Sequence, residues 1–175
     1  MANIRQQSQR FQYAQPIFMQ GDRSLARALR DLMREQHPYM LESIHLDEAA
    51  PADALTLAEW ASPEQFPALA QRYSDSLYRQ HPDAVQEAKP VQSLWAQWYF
   101  GLLLPPLMLA LLAESRALDC SPQHIHVQFH EHGHPCAFWI ATHEDEEARY
   151  LTAPQRIDRL IQQHLIPAVN GIAQH

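Results

Sequence analysis

Five histidines lie within eleven residues, in segment 124–134 with the sequence HIHVQFHEHGH. Neutral imidazole is a common transition-metal ligand, so this density makes a metal site one interpretation. The cluster has no companion carboxylate or thiolate at a recognised metal-site spacing and no His-Glu-x-x-His motif. We therefore predict no metal site here, and a histidine metal-binding protein remains an alternative.

The same segment predicts a β-hairpin over about residues 123–142. Polar and apolar residues alternate from position 124 to 130, as they do in a half-buried strand. Gly133 marks a turn, and an aromatic-rich second run follows it. His126 and His130 fall on the polar face, where we expect them to line a ligand pocket.

A second candidate site is an aromatic patch on a predicted helix. Trp95, Trp98 and Tyr99 lie about one helical turn apart or closer. Core packing explains such a patch, but a partly exposed patch could also stack on a flat ligand. We predict that these three residues bind ligand; no catalytic residue is identified.

Other reaction chemistries lack a sequence signal. The two cysteines, Cys120 and Cys136, are too few for a disulfide framework or for a cluster needing four thiolates. Cys136 is either a reactive thiol near the turn or a small buried hydrophobe. Glycine-rich phosphate loops and Gly-x-Ser-x-Gly elbows do not occur in the sequence.

Composition indicates one domain over residues 1–175. The chain is 46% hydrophobic and carries a formal net charge of -7, with scattered Lys and Arg, which argues against a nucleic-acid partner. The polar N-terminus predicts no secretory signal. The apolar stretch 99–113 is short and contains Pro105-Pro106, which predicts no transmembrane segment and a cytoplasmic location.

The elements that carry these residues are predicted to be mostly helical. Residues 1–21 are expected to be irregular. Helices are predicted from an Asp22 N-cap to near His37, from about Pro67 to Gln80, over 91–104 with a break or kink at the proline pair, and after a Thr152 capping box. The predicted fold class is α+β, with a small antiparallel sheet containing the hairpin.

Three segments together resemble a known family. They are residues 93–108 (SLWAQWYFGLLLPPLM), residues 126–138 (HVQFHEHGHPCAF) and residues 164–167 (HLIP). Their order is similar to that of the FhuF-type siderophore-iron reductases, in which a strand ends in a His-Glu-x-Gly-x-Pro turn. The resemblance is best over about residues 90–170. His130, Gly133 and Pro135 belong to the shared pattern, whereas His124, His132 and His134 are additions of this chain.

The resemblance implies one-electron reduction of ferric iron held by a siderophore. In that family the electron comes from a 2Fe-2S cluster held by four C-terminal cysteines, to which Cys120 and Cys136 do not correspond. We therefore expect no cofactor in this chain. A truncated reductase, a tail-less relative and a fold reused for another purpose are all consistent with this difference.

The sequence thus predicts a siderophore-iron reductase-like protein of iron acquisition. Its expected partners are a ferric siderophore and an electron-donor protein. The alternatives are a non-enzymatic domain that binds a siderophore or a protein, and the histidine metal-binding protein.

Overall fold

A computed structural model describes residues 24–113, 120–142 and 150–174. The predicted irregular segment 1–21 and the Asp22 cap position lie outside these residues. The described elements follow one another in this order: α1 (Leu25–Gln36), a 3-10 helix (Pro38–Glu42), β1 (Ile44–Leu46), β2 (Leu55–Thr56), α2 (Leu57–Trp60), α3 (Gln65–Leu77), α4 (Ala88–Ala113), a 3-10 helix (Pro122–His124), β3 (Ile125–Phe129), β4 (Pro135–Ile140), α5 (Ala153–Leu160), a π-helical turn (Ile161–Leu165) and α6 (Ile166–Ala173). The predicted mostly helical α+β class is confirmed.

The strands form one sheet in the order β1-β4-β3-β2. The predicted hairpin is confirmed as the antiparallel pair β3–β4, with Val127 opposite Phe138. The sheet as a whole is mixed, because β1 pairs with β4 in parallel, with Ile44 beside Phe138. A parallel pair needs a long crossover connection, and the helices between β1 and β4 provide it. The three residues of β1 contain no sequence pattern that would predict parallel rather than antiparallel pairing with β4.

Alternation along the strands divides the sheet into a core face and an outer face. Ile125, Val127 and Phe138 are buried on the core face. His126 and Trp139 face each other on the outer face and are half-buried. The predicted alternation of the hairpin is therefore confirmed.

Helix α4 lies at the centre of the fold and contacts α1, α3, α5, α6, β1 and β4. The prediction at Pro105-Pro106 is a break or a kink; a break is wrong, because α4 continues through both prolines, and a kink stays a prediction. The two prolines deprive only the carbonyls of Gly101 and Leu102 of helical donors. Gly101 has no side chain, and a Cβ there would meet nothing within 4 Å, so the surrounding space accommodates the altered turn.

Because α4 is continuous, its length must be considered against the prediction that the chain has no transmembrane segment. Over Ala88–Leu111 the helix is long and apolar enough to cross a bilayer by length and composition. One such helix is weak evidence for a span, since the core helix of a soluble protein has the same character. Trp95, Tyr99, Leu103 and Leu107 of α4 are fully buried in the described fold. The absence of a transmembrane segment stays a prediction that this packing supports.

The helix starts differ in detail from the predicted ones. The side chain of Ser24, rather than Asp22, caps α1 by accepting a hydrogen bond from the Arg27 N–H at 3.3 Å. Helix α3 begins at Gln65 instead of Pro67, with Ser62 Oγ accepting from the Gln65 N–H. Pro67 is then the third residue of α3, where its missing N–H has no intrahelical partner to lose.

The C-terminal helical segment begins with the predicted capping box. Thr152 is the N-cap of α5, and its N–H donates to the Gln155 side chain at 2.9 Å. A π-helical turn then interrupts the α-helical hydrogen bonding just before Pro167, which cannot donate to Gln163. His164 lies within this turn and is fully buried.

Candidate functional site

The three predicted aromatic residues of α4 do not share one surface. Trp95 and Tyr99 are 0% exposed, whereas Trp98 is 47% exposed. At about 100° per residue, Tyr99 lies about 40° from Trp95 around the helix, and Trp98 about 60° away on the other side. Trp95 and Tyr99 therefore share the core stripe, and Trp98 reaches the edge of α4.

Trp95 fixes the tip of the hairpin. Its indole N–H donates to the Gly133 carbonyl at 2.8 Å, and its ring stacks on Phe129. Gly133 has a φ of 83°, and a Cβ there would lie 2.2 Å from the Leu69 carbonyl oxygen of α3. The turn can approach α3 this closely only because position 133 is glycine. Trp95 is thus a positioning residue for the hairpin tip.

Tyr99 belongs to a buried polar pair beneath the sheet. Its hydroxyl lies 2.8 Å from His164 Nε2, and His164 Nδ1 lies 3.2 Å from the Cys120 carbonyl oxygen. A carbonyl only accepts, so Nδ1 carries the proton and Nε2 accepts from the Tyr99 hydroxyl. Burial lowers the pKa of His164 to about 4 and raises the pKa of Tyr99. Both side chains are therefore neutral near pH 7.

Trp98 lies in an open cleft of about 440 Å³ between α3 and α4, beside the hairpin tip. Its indole N–H donates to the Tyr73 hydroxyl at 3.1 Å, which orients the ring. His134 and the cationic side chain of Arg79 also line the cleft. The volume is within the usual range of about 300–1,000 Å³ for small-molecule sites.

A row of rings leads from this cleft to the hairpin tip. The Trp98 and His134 ring centroids are 5.2 Å apart, and His134 stacks on His130 at 4.7 Å. His132 packs against His130 at 4.7 Å. Burial, with smaller contributions from the charges of His130 and His132, lowers the pKa of His134. A neutral His134 presents an aromatic surface to the cleft.

His126 lies on a different surface from Trp98. It sits on the outer face of the sheet, opposite Trp139 and beside Thr56. His45 stacks on Trp139 at 4.4 Å on the same face. The structure therefore links His130 to Trp98 through His134 and assigns His126 to a separate row of aromatic side chains.

Three residues of the cleft were not singled out from the sequence. Tyr73 and Arg79 come from α3 and the residues after it, about twenty positions before Trp98, and no local pattern relates the two segments. His134 follows the turn glycine, and it is half-buried because the hairpin tip folds against α3.

The cysteines do not fit a 2Fe-2S cluster within this sequence. A cluster of the four-thiolate type needs four cysteines, and the sequence has two. Cys120 is buried in the core, whereas Cys136 is half-buried and its thiol donates to the Gln128 carbonyl at 3.3 Å. Burial and the charge of Asp53 raise the pKa of Cys136, so it remains a protonated thiol near pH 7.

The chain is similar in sequence to known proteins of one family. Residues 93–175 match the family model described as "Ferric iron reductase FhuF-like transporter". A curated "Ferric siderophore reductase" of Escherichia coli K12 is 46% identical over 151 residues, which are 86% of this chain and 58% of that relative. The chain belongs to the FhuF-like ferric iron reductase family. It spans a little over half the length of the curated relative.

The FhuF-like match contains most parts of the candidate site. Trp98, the hairpin tip and the Tyr99–His164 pair all lie within residues 93–175. Tyr73 and Arg79 lie before the matched range. The side of the cleft that faces α4 therefore comes from α3 and the residues just after it.

Proposed function

We propose that the Trp98 cleft binds a ferric siderophore and holds it for reductive release of iron. The observation that carries the proposal is the half-exposed Trp98 ring, oriented by Tyr73 and flanked by His134 in an open cleft. The name of the 46% identical relative supports the same substrate class. We further propose that this takes place in the cytoplasm.

The side chains of the cleft match the chemistry of ferric chelates. Catecholate and other planar chelating groups can stack on Trp98 and on a neutral His134. Arg79 supplies a positive charge for anionic chelates in a protein of net charge -7. Trp98 and His134 are then the ligand-facing side chains, and His130 supports His134 from behind. Trp95 and Tyr99 act as positioning residues, and His126 has no part in it.

Release follows from the change in iron charge. One electron converts the bound Fe³⁺ to Fe²⁺, and the hard oxygen donors of a siderophore hold Fe²⁺ far less tightly. The electron comes from a one-electron donor, such as a reduced iron–sulfur centre, outside the residues described here. These residues bind and orient the chelate, and no electron-transfer step is assigned to them.

Tryptophan fluorescence provides a direct test of binding. Ferric complexes of hydroxamate, catecholate and carboxylate siderophores would be titrated into the protein and into W98F. We expect at least one class to quench the wild-type emission with saturation, and W98F to weaken binding about two- to tenfold, since a stacked aromatic contact contributes about 0.5–1.5 kcal/mol. The matched control is W139F, which changes the half-buried tryptophan of the outer sheet face.

Two results contradict the proposal. One is the absence of saturable quenching by all three chelate classes. The other is an equal loss of affinity in W98F and W139F, because the cleft would then have no special role. Siderophore binding without Fe²⁺ release, when a chemical one-electron reductant and a ferrous chelator are added, would instead favour a purely binding domain.

A further inference from the structure

We propose that the hairpin tip is a divalent metal site whose ligands are His130, Glu131 and His132, and that Fe²⁺ released in the adjoining cleft is its occupant. The potential ligand atoms of these three residues all lie within 4.8 Å of one another. The identification of Fe²⁺ as the occupant rests on the proposed function, whereas the metal site itself does not.

The distances suit a site that closes on an ion by a small movement. His132 Nε2 and Glu131 Oε1 are 3.6 Å apart. Two ligand atoms about 2.1 Å from one ion are separated by about 3.0 Å at an octahedral angle and about 3.4 Å at a tetrahedral angle. The most distant pair of ligand atoms therefore needs to approach by up to about 1.4–1.8 Å, which side-chain rotation can provide at a solvent-accessible tip.

The backbone under these ligands is held in place. The His130 N–H donates to the His134 carbonyl at 2.9 Å, and the Gly133 N–H donates to the His130 carbonyl at 2.8 Å. The Gly133 carbonyl in turn accepts from Trp95. His130 Nδ1 accepts from the His132 N–H at 3.2 Å, so this contact is kept if His130 ligates the ion through Nε2. The turn thus presents its side chains from a fixed frame.

The ligand types indicate the class of ion. Two imidazoles and one carboxylate form the donor set of many non-haem Fe²⁺ sites, in which open positions remain for water or substrate. Fe³⁺ prefers the hard oxygen donors of its chelate, so the site and the siderophore favour different oxidation states. Three ligands at an exposed tip would hold Fe²⁺ loosely enough to pass it on.

The location connects the site to the cleft. His130 stacks on His134, whose ring centroid is 5.2 Å from that of Trp98. An Fe²⁺ ion leaving a chelate beside Trp98 would therefore meet the hairpin tip within one or two side-chain lengths.

The first experiment measures metal binding by untagged protein. Co²⁺, followed by its visible absorption, and Fe²⁺ under anaerobic conditions would be titrated into the wild type, H132Q and E131Q. We expect one ion per chain, with binding weakened roughly ten- to hundredfold in each variant. The matched control is H45Q, since His45 lies 3.4 Å from Glu48 and provides a histidine–carboxylate pair outside the cluster.

The outcomes separate this proposal from the proposed function. Equal affinity in the wild type, H132Q and E131Q, or no binding below about 1 mM, overturns the metal site. If E131Q loses metal binding but siderophores still quench Trp98, both proposals stand. If metal binds as expected but no siderophore quenches Trp98, the metal site is supported. The proposal that its occupant is Fe²⁺ released in the cleft is then contradicted.

Discussion

Buried His164 should make the stability of this protein depend on pH in a defined direction. Its ring is 0% exposed and lies between the Tyr99 hydroxyl and the Cys120 carbonyl. Protonation would place a charge in the core and would turn Nε2 into a donor facing the Tyr99 hydroxyl, which now donates to it. The folded protein should therefore resist taking up this proton.

The magnitude follows from the difference between the folded and unfolded pKa values. Folding lowers the pKa of His164 from 6.5 to about 4. Above about pH 7.5 the ring is almost wholly neutral in both states and contributes almost no pH dependence. As the pH falls from 6.5 towards 4, the unfolded state binds a proton that the folded state does not, so stability is lost. Between about pH 7.5 and about pH 5 the loss from His164 amounts to about 2 kcal/mol.

Urea unfolding at a series of pH values, followed by tryptophan fluorescence, would measure this effect. We expect the free energy of unfolding of H164N to fall by about 2 kcal/mol less than that of the wild type over this pH interval. H164N is expected to lower stability at every pH, so the comparison uses slopes rather than absolute values. H164Q is a second variant in case H164N does not fold. H81Q, which removes an exposed histidine, controls for the loss of one imidazole.

Parallel pH profiles for the wild type and both His164 variants would refute this reasoning. They would mean that His164 takes up its proton equally in the folded and unfolded states, for example because water enters the π-helical turn. A wild-type stability that rises as the pH falls from 6.5 would contradict the predicted sign.

Three further outcomes are expected. G133A should lose more than about 2 kcal/mol of unfolding free energy, because φ is +83° and the added Cβ would meet the Leu69 carbonyl; urea unfolding that matches the wild type would contradict this. Y99F should cost about 1–3 kcal/mol by leaving the buried His164 Nε2 without its donor, again measured by urea unfolding. R79Q should weaken binding of an anionic ferric catecholate by up to about fivefold at low salt and leave a neutral ferric hydroxamate unchanged, since the exposed cation acts through a screened charge; equal effects on both chelates in fluorescence titrations would refute it.

Local sequence signals predicted several elements well. The alternation from residue 124 to 130 predicted strand β3, and the Gly133 turn predicted the hairpin. The capping box at Thr152 gave the start of α5. These signals succeed because each one acts between residues a few positions apart, where backbone geometry alone decides the outcome.

The errors arose where a local rule met a tertiary environment. The proline pair at 105 and 106 predicted a break or a kink, but α4, which packs against several elements, continues as one helix through both prolines. The direction of β1 in the sheet also depends on a partner about ninety residues away. Neither outcome is encoded in a short window of sequence.

The sequence by itself determined the family resemblance, the hairpin and the presence of an aromatic patch on a helix. Only the tertiary structure decided which of those aromatic residues can meet a ligand. Trp95, Trp98 and Tyr99 are adjacent in sequence, yet the core covers two of them and leaves Trp98 in a cleft. The tertiary structure also places Tyr73 and His134, which come from other elements, next to Trp98. The physical reason is that exposure depends on what packs against a helix face, and the elements that pack there are distant in sequence.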